Sequence, residues 1–98
     1  MGKVIFTISY YIQSEKRDEY LALSQEMKSH FAGQNGKSYA IFEQKGKKNS
    51  FSEIFVCNSM EEYDQLEDQD EQMSQLVQKL EVMLADGKMK YSTLVEIE

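Results

Sequence analysis

Val4-Ile5-Phe6-Thr7-Ile8-Ser9-Tyr10-Tyr11-Ile12 is a run of β-branched, aromatic and small hydroxyl side chains bounded by polar residues, which is the composition of a strand. Side chains alternate along a strand, so Val4, Phe6, Ile8, Tyr10 and Ile12 share one face, and Ile5, Thr7, Ser9 and Tyr11 share the other. That second face is only half polar. A strand with apolar groups on both sides wants cover on both sides, so the elements around it must supply two layers.

Reading outward, Ser14 stands where a helix N-cap belongs, and Glu15, Asp18 and Glu19 put negative charge at the positive end of the helix dipole. Tyr20, Leu23, Met27 and Phe31 fall three or four residues apart, one apolar stripe, and Gly33 stops the helix before the turn-forming Gln34-Asn35-Gly36. Two strands follow, roughly Lys37 to Lys45 and Phe51 to Cys57, with the hairpin-like loop Gly46-Lys47-Lys48-Asn49-Ser50 between them. Ser59-Met60-Glu61-Glu62 is a capping box opening a second helical region, with Met60, Tyr63 and Leu66 as its first apolar contacts. Glu67 to Gln72 has no apolar residue and predicts a break. Asp68 then recaps a longer helix striped by Met73, Leu76, Val77, Leu80, Met83 and Leu84 and ended by Gly87. Met89, Tyr91, Thr93, Val95 and Ile97 alternate along a last strand.

The order β-α-β-β-α-β predicts an α+β protein of ferredoxin-like type, a four-stranded antiparallel sheet with both helices on one face. At 98 residues the expectation is one domain spanning 1–98. The other sheet face carries apolar groups on every strand, more than monomers normally expose. A second copy laid sheet against sheet, a homodimer, is the expected cover.

Composition narrows the chemistry. With one Cys and one His, neither an intrachain disulfide framework nor a multi-Cys zinc pattern is available, and no metal site is expected. Asp68, Asp70 and Glu71 do not make a calcium loop, because Met73 stands where its glycine belongs. The five Gly are scattered singly, so phosphate loops and dinucleotide fingerprints are absent and no cofactor is expected. The net charge of −6 is concentrated between Ser59 and Asp86, where nine acidic residues face one Lys. Such a field repels nucleic acid, and the Lys45, Lys47 and Lys48 loop is too small a basic patch to offset it. The longest uncharged run, Val4 to Ser14, is too short for a bilayer. With a single Cys in the sequence, the cytoplasm is the expected location.

Few residues have catalytic character. Glu53 shares a strand face with Phe51, Phe55 and Cys57. A carboxyl among aromatic rings has a raised pKa and serves as acid or base; a salt bridge across the dimer or exposure at an edge strand are its other readings. Glu43 would pair with Glu53 if the hairpin register set them opposite. His30 lies on or beside the apolar stripe of the first helix, either a base or ligand contact or a core-edge capping group. Cys57 and His30 are expected at the same end of the sheet, which permits a Cys–His pair without pointing to one. Tyr10, Tyr11, Tyr39 and Tyr91 all sit on strands, where their amphipathic rings suit a cavity rim or a dimer interface.

Glu53-Ile54-Phe55-Val56, followed by Asn58-Ser59-Met60-Glu61-Glu62-Tyr63, resembles the third strand and helix start of antibiotic-biosynthesis-monooxygenase-like proteins of the dimeric α+β barrel superfamily, and Val4 to Tyr10 resembles their opening strand. The resemblance spans nearly the whole chain. It implies a dimeric barrel with a small-molecule ligand cavity. With no complete catalytic constellation in the sequence, the first reading is a homodimer that binds a small apolar or aromatic ligand or serves as an interaction module. The alternative that the resemblance implies is cofactor-independent oxygenation of an activated aromatic substrate. Many of these relatives have a His soon after the short helix, where this chain has Glu67-Asp68-Gln69-Asp70, and the haem-degrading relatives use a Trp, which this chain lacks.

Overall fold

A computed structural model describes residues 2–32, 37–65 and 71–97. In chain order these form β1 (Val4–Tyr11), α1 (Arg17–Ala32), β2 (Lys37–Glu43), β3 (Ser50–Cys57), α2 (Met60–Gln65), α3 (Glu71–Glu81) and β4 (Lys90–Val95). The strands form one sheet in the order β2-β3-β1-β4, every neighbour antiparallel. This is the ferredoxin-like arrangement that the element order predicts.

Register sorts the side chains. Val4, Phe6, Ile8 and Tyr10 of β1 stand opposite Cys57, Phe55, Glu53 and Phe51 of β3. Tyr39 and Ile41 of β2 stand opposite Phe55 and Glu53, and Thr93 and Tyr91 of β4 opposite Phe6 and Ile8. These residues face the helices. The α1 stripe Tyr20, Leu23, Met27 and Phe31 is buried throughout, and with Leu76 and Leu80 of α3 it closes the core over Tyr10 and Phe51. On the opposite face lie Ile5, Thr7, Ser9 and Tyr11 of β1, Ile54 and Val56 of β3, Phe42 of β2 and Leu94 of β4. Phe42 and Leu94 are more than half exposed.

The local signals are met unevenly. Ser59 Oγ accepts the Glu62 N–H at 3.2 Å, while Glu62 Oε2 accepts the N–H of Asn58 at 2.7 Å, so the capping box forms with its returning arm one residue early. Ser14 does not cap α1. It begins a 3₁₀ turn, Ser14–Lys16, and its hydroxyl bonds Glu15. α3 ends at Glu81, not at Gly87. The backbone of Gln13 and Ala85 explains this: Gln13 N–H donates to Met83 O and Ala85 N–H to Tyr11 O, around a bridge of Ile12 with Leu84. The end of β1 thus pulls Met83 and Leu84 out of the helix and into the core. Of the break predicted over Glu67 to Gln72, Glu71 and Gln72 are already helical in α3; its remainder, the Asp68 cap and the turn after Gly33 lie outside the described residues.

Candidate functional site

Strand alternation turns Glu53 inward between Phe51 and Phe55, flanked by Ile8 on β1 and Ile41 on β2. Its residue surface is 3% exposed. An ionised carboxylate at such depth needs partners, and two phenols supply them. Tyr39 donates to Oε1 at 2.6 Å and Tyr10 to Oε2 at 2.8 Å. The Tyr10 hydroxyl lies 2.8 Å from that of Tyr20 on α1. With the Tyr10 proton committed to Glu53, Tyr20 is the donor in that pair. The result is a chain Tyr20 to Tyr10 to Glu53, met from the other side by Tyr39. Among the described residues the carboxylate's hydrogen-bond partners are phenols and not a cation.

Burial pushes the Glu53 carboxyl above the ordinary carboxylate range, and the bonds from Tyr39 and Tyr10 oppose that shift. The phenols are raised in turn, first by their own burial; the negative charge of Glu53 adds to this. They therefore remain hydroxyl donors across the physiological range.

Glu53 also forms part of the wall of a cavity of about 350 Å³. Phe6, Ile8 and Phe55 continue the sheet side, Met27 and Phe31 come from α1, and Leu76, Val77 and Leu80 from α3. Tyr63 of α2, Met89, Tyr91 and Thr93 complete the lining toward the β4 edge. Phe6 is the centre of an aromatic cluster, stacked on Tyr91 (centroids 6.1 Å, interplanar 13°) and edge-on to Tyr63 at 5.8 Å. The Tyr63 and Thr93 hydroxyls meet at 3.1 Å across that side. Glu53 is the charged residue of a lining otherwise made of apolar and aromatic groups, with one Thr and two Tyr hydroxyls.

The structure therefore brings Glu53, Tyr10 and Tyr39 into contact and puts Tyr91 in the cavity wall. Tyr11 is elsewhere, 41% exposed on the helix-free face. His30 is half-buried on α1, its ring edge-on to Phe31 at 4.9 Å, and it is not part of the cavity lining. Cys57 is fully buried. Glu43 does not pair with Glu53, because the register sets Ile41 opposite Glu53 and Glu43 opposite Phe51. Glu43 instead takes a two-point bond from Arg17 (2.6 and 2.9 Å) and one from Asn49 N–H at 2.8 Å. Sequence reasoning puts Tyr20 and Tyr63 on helices and Phe6 on a strand face and gives none of them a place in a site. Tyr20 did carry a signal: a phenol in the middle of a core stripe needs a buried acceptor, and Glu53 was the inward carboxyl available through Tyr10. Among the described residues no three His, Cys, Asp or Glu side chains cluster as a metal site would require, and no helix is long and apolar enough to cross a membrane.

No protein-family model matches the chain, and no curated protein does. Solved structures match closely in shape. SnoaB, a cofactor-independent oxygenase from Streptomyces nogalater, superimposes with a TM-score of 0.80 at 14% identity over 100% of this chain and 96% of its own. A conserved protein from Methanosarcina mazei gives 0.84 at 12% identity, covering 96% and 92%. An antibiotic biosynthesis monooxygenase gives 0.74 at 18% identity, covering 100% and 98%. At these identities the likeness is one of architecture: the chain has the ferredoxin-like α+β fold that these oxygenases and uncharacterised proteins share.

Proposed function

We propose that the cavity binds a small, largely aromatic molecule and that Glu53 is the base of a cofactor-independent oxygenation carried out on it. The observation that supports this reading is the buried carboxyl set into an aromatic-lined cavity. A carboxyl held above its ordinary pKa is a stronger base once ionised, and an apolar wall suits both an aromatic substrate and dioxygen. The shared architecture with SnoaB is in keeping with it.

The chemistry asks little of the protein. An electron-rich phenol presents, through its keto tautomer, an activated ring methylene. Glu53 takes one proton from that carbon, and the carbanion passes an electron to dioxygen. The radical pair combines at carbon, and the peroxide anion recovers the proton from Glu53. Removal of the second ring proton then expels the outer oxygen as water and leaves a carbonyl. Phenol and dioxygen become quinone and water. His30, in this reading, plays no direct part.

Oxygen uptake with an electron-rich phenol is the test. Glu53→Gln keeps the shape but removes the base, and should lower the rate by about 10²–10⁴-fold. Equal uptake by wild type and variant would remove Glu53 from the reaction. The helix-free sheet face, with Phe42 and Leu94 more than half exposed, supports a second proposal, that the protein is a homodimer.

A further inference from the structure

A base that must meet a substrate in a fixed direction has to be held there. We infer that Tyr10 and Tyr39 are positioning residues for Glu53, each locking one carboxylate oxygen, with Tyr20 acting one step further back through Tyr10. The inference rests on the reading of Glu53 as the base, and its geometry stands without a substrate.

Both oxygens are engaged from elements on opposite sides of β3: Oε2 by Tyr10 on β1 and Oε1 by Tyr39 on β2. Two anchors on the two oxygens fix the plane of the carboxylate, which a single anchor leaves free to turn. The two sides differ. Tyr10 is sealed in the core and is itself held by Tyr20, at 3% and 0% exposure. Donation from Tyr20 polarises the Tyr10 hydroxyl and strengthens its bond to Glu53. Tyr39 is half-buried on the edge strand, its ring held by Phe31 at 4.6 Å and Phe55 at 4.7 Å.

Among the described residues, the titratable groups facing Glu53 are phenols. Tyr10 comes from β1, Tyr20 from α1 and Tyr39 from β2, with Tyr63 of α2 and Tyr91 near β4's start across the cavity. α3 contributes Leu76, Val77 and Leu80, and His30 of α1 stands behind Phe31. Removing a phenol that donates to the anion disfavours the ionised form, so the Glu53 midpoint must rise.

The experiment follows the Glu53 carboxyl in the ligand-free full chain by 13C NMR or infrared spectroscopy across pH, with Glu53→Gln identifying its signal. Tyr39→Phe and Tyr10→Phe should each move the midpoint up by about one to two pH units. Tyr20→Phe should move it in the same direction by less. A purely structural role would lower thermal stability and leave the midpoint in place. Either a fixed or a lowered midpoint in the folded variants overturns the inference, as does a wild-type carboxyl that never ionises. If Tyr10→Phe fails to fold, the Tyr39→Phe result decides alone. Because no substrate is present, this outcome is independent of whether oxygen uptake is found.

Discussion

Glu53 is a carboxyl buried among aromatic and aliphatic side chains. Its charge is taken out of water and, among the described residues, compensated by hydroxyl dipoles, so the ionised form is disfavoured by folding. The linkage has a definite sign. A carboxyl whose pKa is raised in the folded state binds more protons folded than unfolded at intermediate pH, so stability falls as pH rises from the unfolded value of about 4.5 through the folded one. Glu53→Gln removes this dependence while leaving an amide able to bond both phenols. The wild type should therefore lose stability relative to Glu53→Gln across that window and level off above it, which denaturant melts at a series of pH values will show. A difference that stays constant with pH would mean that Glu53 is ionised in both states alike. That Glu53 shares a strand face with Phe51 and Phe55 was legible in the sequence, because alternation decides it; that this face is buried was not, since exposure at an edge strand fits the same residues. Its partners were less so. Tyr10, Tyr39 and Tyr20 lie on three separate elements, and only the three-dimensional register brings their hydroxyls to the same two oxygens. Glu43 shows the same limit from the other side. It also lies on the inward face of its strand, yet a hairpin that closes at Gln44 and Ser50 moves it one pair beyond Glu53 and within reach of Arg17.

At the scale of elements, periodicity and composition located every strand and helix within the described residues, and failed where backbone groups from distant segments compete for a terminus. Leu80, Met83 and Leu84 continue a helical stripe in sequence, and nothing local tells the chain to stop at Glu81. The stop comes from Gln13. Its backbone N–H takes Met83 O, and its side-chain amide donates to Val82 O at 3.3 Å and Leu84 O at 3.2 Å. The same residue sets the entry of α1, since Lys16 N–H donates to Gln13 O at 2.9 Å. Ser14, one position on, is thereby displaced from the cap role its residue type predicts. Gln13→Ala removes the two side-chain bonds, both partly screened by water, and should cost about 1 kcal/mol. Amide exchange should rise most around Val82–Leu84, beside the cavity wall supplied by Leu80. A variant as stable as the wild type, with unchanged exchange there, would show that the backbone bonds alone hold this junction.

On the scale of the whole molecule, the two sheet faces are unequal. One is covered by α1 and α3 and holds the cavity. The other presents Ile5, Ile54, Val56, Phe42 and Leu94 beside Ser9 and Ser52, whose hydroxyls bond each other at 2.9 Å. On β4 every residue is exposed, so Tyr91, which lines the cavity, and Leu94, which points the other way, share one bare edge strand. A partner resting on the helix-free face would shelter Leu94 and stiffen β4, and with it the cavity wall at Tyr91 and Thr93. A second copy is the partner this face suits, since a surface of mixed apolar and hydroxyl groups, with Lys90 at its β4 end, is compatible with itself in an isologous contact. Light scattering at micromolar concentration should then give about twice the 11.4 kDa chain mass. Ile54→Lys, near the middle of that face, would set a charge against its symmetry mate's surroundings in an apolar contact and should halve the mass, leaving the far-ultraviolet circular dichroism unchanged because Ile54 faces away from the helices. If the wild type already scatters as one chain, the helix-free face meets solvent, and β4 must hold the edge of the cavity through its pairing with β1 and the Tyr63–Thr93 contact within the same chain.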